Sequence, residues 1–129
     1  MVKVGHAKFW IDEQQVLNCQ FNNSNLDNKL EASFAKLYIE AIETLCDNIA
    51  RPFLIDLRDS QGTFSSQAAN LLAKTPSLVK LRISEAYVVN SINIKLLITS
   101  YKRLYDTVTP FEIFNDLNTA KEYSILMKN

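Results

Sequence analysis

The chain is poor in the residues from which most recognisable active sites are built. Among its 129 residues are two glycines, three prolines, two cysteines and one histidine. A phosphate-cradling loop or a dinucleotide fingerprint needs several glycines so that backbone can approach a phosphate. Gly5 and Gly62 alone cannot supply one, and Gly62 instead suits a turn position of positive φ. Cys19, Cys46 and His6 are too scattered for a zinc site, whose ligands come in close pairs. No serine sits in a G-x-S-x-G elbow, and His6 falls in an N-terminal segment that reads as mobile. The base that a serine nucleophile needs is therefore not in view. No catalytic set, metal or cofactor is implied, and the expectation is a protein that is not an enzyme.

Net charge is lacking as well. Lys and Arg total 14, as do Asp and Glu. A protein that works on nucleic acid or an anionic membrane carries a basic surplus, so neither is an expected partner. No apolar run approaches the ~18 residues that cross a bilayer, and residues 1–8 lack the apolar core of a signal peptide. The expected location is the cytoplasm. There Cys19 and Cys46 would persist as buried thiols, with a single disulfide as the alternative.

What is present is an ordinary globular balance, 47% hydrophobic and 22% charged. The length suits one domain spanning residues 1–129, able to bury a core without metal or disulfide. Residues 51–66 organise the rest. Pro52 fits the first residue of a strand, residues 53–57 are apolar except for Asp56, and a polar turn containing Gly62 runs to Ser65 and Ser66. Asp56 and Arg58 share a face near the carboxyl end of that strand, where ligands are met in open α/β sheets. The plainer role for Asp56 is to satisfy nearby backbone amides.

Around this unit the pattern alternates. Residues 7–11 and 16–21 read as strands joined by a four-residue polar turn, and residues 22–25 as a loop. A long helix is expected over 27–49, capped by Asp27 or Asn28. Its apolar stripe would be Leu30, Phe34, Leu37, Tyr38, Ala41, Ile42, Leu45 and Ile49, with Lys36, Glu40, Glu43 and Asp47 on a solvated face. Ser65 or Ser66 opens a further helix that Thr75-Pro76 interrupts. A strand over 84–89 follows, then a helix capped by Ser91 with Ile94, Leu97, Ile98, Tyr101, Leu104 and Tyr105 on its stripe. A short strand at 111–114 and a terminal helix complete the chain. Paired basic residues at Lys80/Arg82 and Lys102/Arg103 read as solvated ends. The alternation predicts an α/β fold with a mainly parallel sheet and helices on both faces.

This order, with its extra N-terminal strand and the turn that opens a helix at Ser65-Ser66, resembles the STAS domain. That fold is shared by bacterial anti-sigma-factor antagonists and the cytoplasmic tails of sulfate transporters. The resemblance covers nearly the whole chain and implies a small stand-alone bacterial regulatory module. In the antagonists a serine or threonine of an Asp-Ser-Ser-Gly-like motif is phosphorylated by a partner kinase. The matching positions here are Phe64-Ser65-Ser66-Gln67, which keep the paired serines but replace the flanking acid and glycine. Ser65 or Ser66 is thus either a phospho-acceptor or a helix cap. Arg58, Asp59, Thr63, Phe64, Asn90 and Ser91 are the candidate partner-binding residues, and the implied partner is a kinase or an anti-sigma-like regulator. A receiver domain is the competing phospho-acceptor. It would need an acidic pair after its first strand where this chain has Asn22-Asn23. Two further alternatives remain: a small-molecule or lipid-binding domain of related architecture, with a cavity between helix and sheet, and a structural domain that forms a homodimer.

Overall fold

In a computed structural model describing residues 1–22 and 29–128, the strand expected after residue 51 lies near the middle of a six-stranded sheet. In chain order the elements are β1 (Val2–Val4), β2 (Ala7–Ile11), β3 (Leu17–Phe21), β4 (Lys29–Leu30), α1 (Ala32–Cys46), β5 (Arg51–Asp56), β6 (Thr63–Phe64), α2 (Ser66–Lys74), α3 (Pro76–Leu81), β7 (Arg82–Val88), α4 (Ile92–Leu104), β8 (Phe111–Phe114) and α5 (Leu117–Leu126). The main sheet has the order β1-β2-β3-β5-β7-β8. β1, β2 and β3 pair antiparallel, and β3, β5, β7 and β8 pair parallel.

Chain order and sheet order agree along the parallel half, and that agreement places the helices. Each crossover from β3 to β5, β7 and β8 advances one strand in the same direction. Right-handed crossovers therefore bring α1, the α2–α3 pair and α4 to one face of the sheet. Alternation along the strands matches this arrangement. Phe9, Leu17, Cys19 and Phe53 pack with Tyr38, Ile39 and Ile42 of α1. Tyr87 and Val89 meet Ile94 and Ile98 of α4. The intervening residues Leu54, Ala86 and Val88 face the other way, onto Ala120 of α5. Each large side chain buried in these layers contributes roughly 1.5–3 kcal/mol before conformational entropy is subtracted.

Local chemistry closes the connections. Between β2 and β3, Asp12 accepts hydrogen bonds from the amides of Gln14 (2.9 Å) and Val16 (3.1 Å) and from Asn18 Nδ2 (2.9 Å). α1 ends where Asp47 and Asn48 take left-handed φ values of 49° and 65°. Short polar side chains tolerate that region best after glycine. Arg51 reaches back to Gln15 Oε1 at 2.7 Å, pinning the start of β5 to the hairpin turn.

Four expectations need correction. The long helix starts at Ala32 rather than near residue 27, because Lys29–Leu30 is drawn into a second, two-stranded parallel sheet with Thr63–Phe64. The expected caps Asp27 and Asn28 lie outside the described residues, as do residues 23–25 of the expected loop. The buried stripe of α1 is rotated: Ala35, Ile39 and Cys46 are buried, whereas Phe34, Leu37 and Ile49 are exposed. His6 is not in a loose tail, since Val2–Val4 is a sheet strand and the tight turn at Gly5 (φ 56°) carries it. Finally, Arg82 and Lys102 are buried rather than solvated, and Leu104 is exposed in their place.

Candidate functional site

The parallel strands all end at one edge of the sheet, and the loops that follow β5 and β7 lie side by side there because those strands are neighbours. After β5 the chain turns at once. Asp56 Oδ1 accepts from the backbone N–H of Arg58 (3.1 Å) and from its Nε (3.0 Å), and Oδ2 accepts from Nη2 (2.8 Å). Burial pushes the Asp56 carboxyl up, but the Arg58 hydrogen bonds and charge outweigh it and hold the group below the usual carboxylate range. The reading of Asp56 as a partner for backbone amides is therefore right, and Arg58 joins it. The Arg58 fork engages Asp56, while 37% of the side chain stays exposed at this edge.

The turn then passes through Gly62 at φ 97° into β6. The Ser65 N–H donates to Leu30 O at 2.8 Å, extending the small sheet by one bond. Ser65 is the N-cap of α2, its Oγ accepting from the Ala68 amide at 3.0 Å, and Ser66 is the exposed first helical residue. Asp59, Thr63 and Asn90 are exposed, and Ser91 caps α4 through the Ile94 amide at 3.5 Å. Phe64, expected as an apolar contact for a partner, is half-buried. Its ring sits edge-on to Tyr101 (5.5 Å between centroids) and near Tyr105 (6.3 Å). Packed on those tyrosines, it points into the molecule and lines a cavity.

That cavity has a volume of about 470 Å³ and lies between the sheet and the helices of the crossover face. Its mouth is at the strand-end edge, where His6, Lys29, Ser60, Gln61 and Thr63 form a polar rim. Its walls are mainly apolar, built by Phe21, Ile55, Leu57, Phe34, Ile94 and Leu97 among others. Phe34 and Phe64 close over it from the small sheet's side, one at the start of α1 and the other just before α2.

The floor is different in kind. β7 brings Arg82, Glu85 and Tyr87 to the wall, and α4 brings Tyr101. Behind them Lys102 Nζ donates to Glu85 Oε1 (2.5 Å) and Asp106 Oδ2 (2.8 Å) and lies 5.0 Å from the centroid of the Phe111 ring. Arg82 donates to the α2 carbonyls of Leu72 (2.8 Å) and Ala73 (3.0 Å) and to Thr109 Oγ1 (3.2 Å), and lies 3.4 Å from Asp106. Asp106 Oδ1 accepts from the amides of Val108 (3.2 Å) and Thr109 (3.1 Å). Burial raises the Asp106 carboxyl, but the Lys102 hydrogen bond, the Thr109 amide and two positive charges hold it below its ordinary value. Burial, then the charge of Glu85, pushes the Tyr87 and Tyr101 hydroxyls up, so both are neutral donors.

Sequence patterning did not point to these floor residues. Two signals for them exist: an acid, Glu85, inside an apolar strand, and a Lys102–Asp106 pair at i,i+4. The thiols offer no chemistry here. Cys19 and Cys46 are both buried and free, and burial raises both. Among the described residues no three His, Cys, Asp or Glu side chains gather into a metal-holding group, and no helix is long and apolar enough to cross a membrane.

The buried charges make a testable statement about stability. Removing one member leaves the others uncompensated, which typically costs about 3–5 kcal/mol. Urea unfolding of Lys102→Met should show a loss of that order, with part of it recovered when Glu85→Gln is added. A loss near zero for the single substitution would contradict the network.

Comparison with solved structures returns an uncharacterised protein of the DUF3478 family with a SpoIIAA-like fold, from Shewanella loihica PV-4. The TM-score is 0.62 and the identity 16%, over 96% of this chain and 98% of that one. The fold is therefore SpoIIAA-like, with a mainly parallel sheet. No curated protein matches the chain. Family comparison aligns residues 9–127, nearly everything from β2 to the end of α5, and on that extent the chain belongs to a domain family of unknown function, DUF7793.

Proposed function

We propose that the protein is a binding module whose cavity takes up a small, largely apolar molecule. The observation that carries this reading is the cavity itself: about 470 Å³, apolar-walled, open at one polar-rimmed mouth. Ligand sites typically measure about 300–1,000 Å³, with mainly apolar walls and a few placed polar groups. The mouth also lies at the carboxyl ends of the parallel strands, where open α/β sheets meet their ligands. Binding fits better than catalysis, because the polar groups at hand already have structural work. Ser65 caps a helix and Glu85 is held by Lys102.

N-phenyl-1-naphthylamine, a dye that brightens in apolar surroundings, tests this. Its fluorescence should rise saturably with the protein. Leu97→Trp, which places a larger side chain in the cavity wall, should weaken that binding at least tenfold while leaving the thermal transition in place. A non-saturable signal, or one indifferent to Leu97→Trp, would contradict the reading.

A second reading rests on one specific feature, the division of labour between the paired serines. Ser65 is occupied as the cap, whereas Ser66 is exposed on the first turn of α2. A phosphate on Ser66 would meet free N–H groups and the favourable end of the helix dipole. It would also change the charge of the loop edge carrying Asp59, Thr63 and Asn90, the surface on which a kinase or an anti-sigma-like regulator would act. Phosphosite mapping on protein from its own cells is expected to place phosphate on Ser66. A fully covered peptide without phosphate, or with it on Ser65, would remove this reading.

A further inference from the structure

We propose that the floor of the cavity, the wall built by β7 and α4, selects a hydroxyl, so that the occupant is a neutral alcohol with an apolar body whose hydroxyl donates to Glu85. The inference rests on the cavity being a ligand site and adds the chemical class of the ligand. Its ground is the contrast between the walls and the floor. Most of the interior is carbon, yet on the wall built by β7 and α4 three oxygen-bearing side chains line the space: Glu85 (3% exposed), Tyr87 (5%) and Tyr101 (9%). A body of carbon with one polar end fits that distribution.

The floor also specifies which polar end. A carboxylate offers about four lone-pair sites. Lys102 takes one on Glu85. Acceptor capacity remains on a side chain that lines the cavity, so the missing group is a donor. It must also be uncharged. Arg82 and Lys102 already balance Glu85 and Asp106 in the interior, and a further ion there would be unpaired in a poorly screening environment. A carboxylate would face Glu85 directly, and an ammonium would leave a surplus positive charge. A hydroxyl is the small neutral donor that remains. The Tyr101 hydroxyl, a neutral group able to give or accept, would complete its coordination.

Two isomeric probes separate the head group from the cavity: 1-decanol, which can donate, and 1-methoxynonane, which cannot. Calorimetric titration of the full chain is expected to show both binding, the alcohol about five- to tenfold more tightly, the yield of one net buried hydrogen bond. Tyr101→Phe should narrow that preference to about twofold while leaving the ether's affinity unchanged, which also verifies that the variant is folded. Tyr87→Phe provides the same comparison should Tyr101→Phe fail to fold. Equal affinity for the two probes overturns the hydroxyl assignment and leaves the cavity reading standing. An alcohol preference that neither variant alters overturns its placement at the floor. Binding of neither probe overturns the cavity reading itself.

Discussion

Four buried charges, Arg82, Glu85, Lys102 and Asp106, decide how α4 sits on the sheet. Most helices of this size approach a sheet until their apolar stripe closes on it, as α5 does through Ala120 on the opposite face. α4 does so through Ile94 and Ile98, but near its carboxyl end the contact is ionic: Lys102 spans to Glu85 on β7, and Asp106 ties the exit loop to Arg82. An ionic contact needs its geometry more than an apolar one does, because a shift that breaks a pair leaves a buried charge alone. The helix is thereby held at its distance at one end. Toward the other end Ile94 and Ile98 pack on Tyr87 and Val89, and the cavity lies beside them, between the sheet and the side chains of α1, α2 and α4.

The same network links the layers in sequence. Arg82 binds the last carbonyls of α2, so the end of that helix, the start of β7 and the loop before β8 share one set of hydrogen bonds. At the opposite edge the two-stranded sheet performs the corresponding task, joining the entrances of α1 and α2 above the mouth. One end of the crossover layer is fastened by charge and the other by backbone pairing. The occupant of the cavity and the loop edge carrying Ser66 thus share a wall, Phe64, which gives a direct physical route by which filling the cavity could alter the surface above it.

Much of the fold was legible in the sequence, for reasons that local patterning can carry. The apolar run from Phe53, opened by Pro52 and closed by the Asp56–Arg58 turn, has no reasonable alternative to a buried strand. Ser91 announces its helix and Ser65 its cap. The fold class followed from alternation, and the handedness of crossovers then fixes which helices share a face. The site was less legible. Gly62 and the paired serines mark the loop edge in the sequence, but nothing there marks the orientation of Phe64, since a turn residue faces outward or inward according to what lies below. The floor escaped because its members are far apart in the chain. Lys102 and Arg82 look like surface residues until the acids that bury them, seventeen and twenty-four positions away, are brought alongside. The rotation of α1 was hidden for a similar reason: pairing of Leu30 with Phe64 shortens the helix, and no periodicity within the helix reports it.

The central claim is that the space between the sheet and the crossover helices exists to be filled. Native mass spectrometry of the protein isolated from its own cells, sprayed under gentle conditions, addresses it most directly. The expected spectrum contains the chain together with a one-to-one adduct of a small molecule that organic extraction removes. A spectrum of the bare chain alone, in preparations handled so that weakly held apolar ligands survive, would contradict the account and return the cavity to the status of a packing defect.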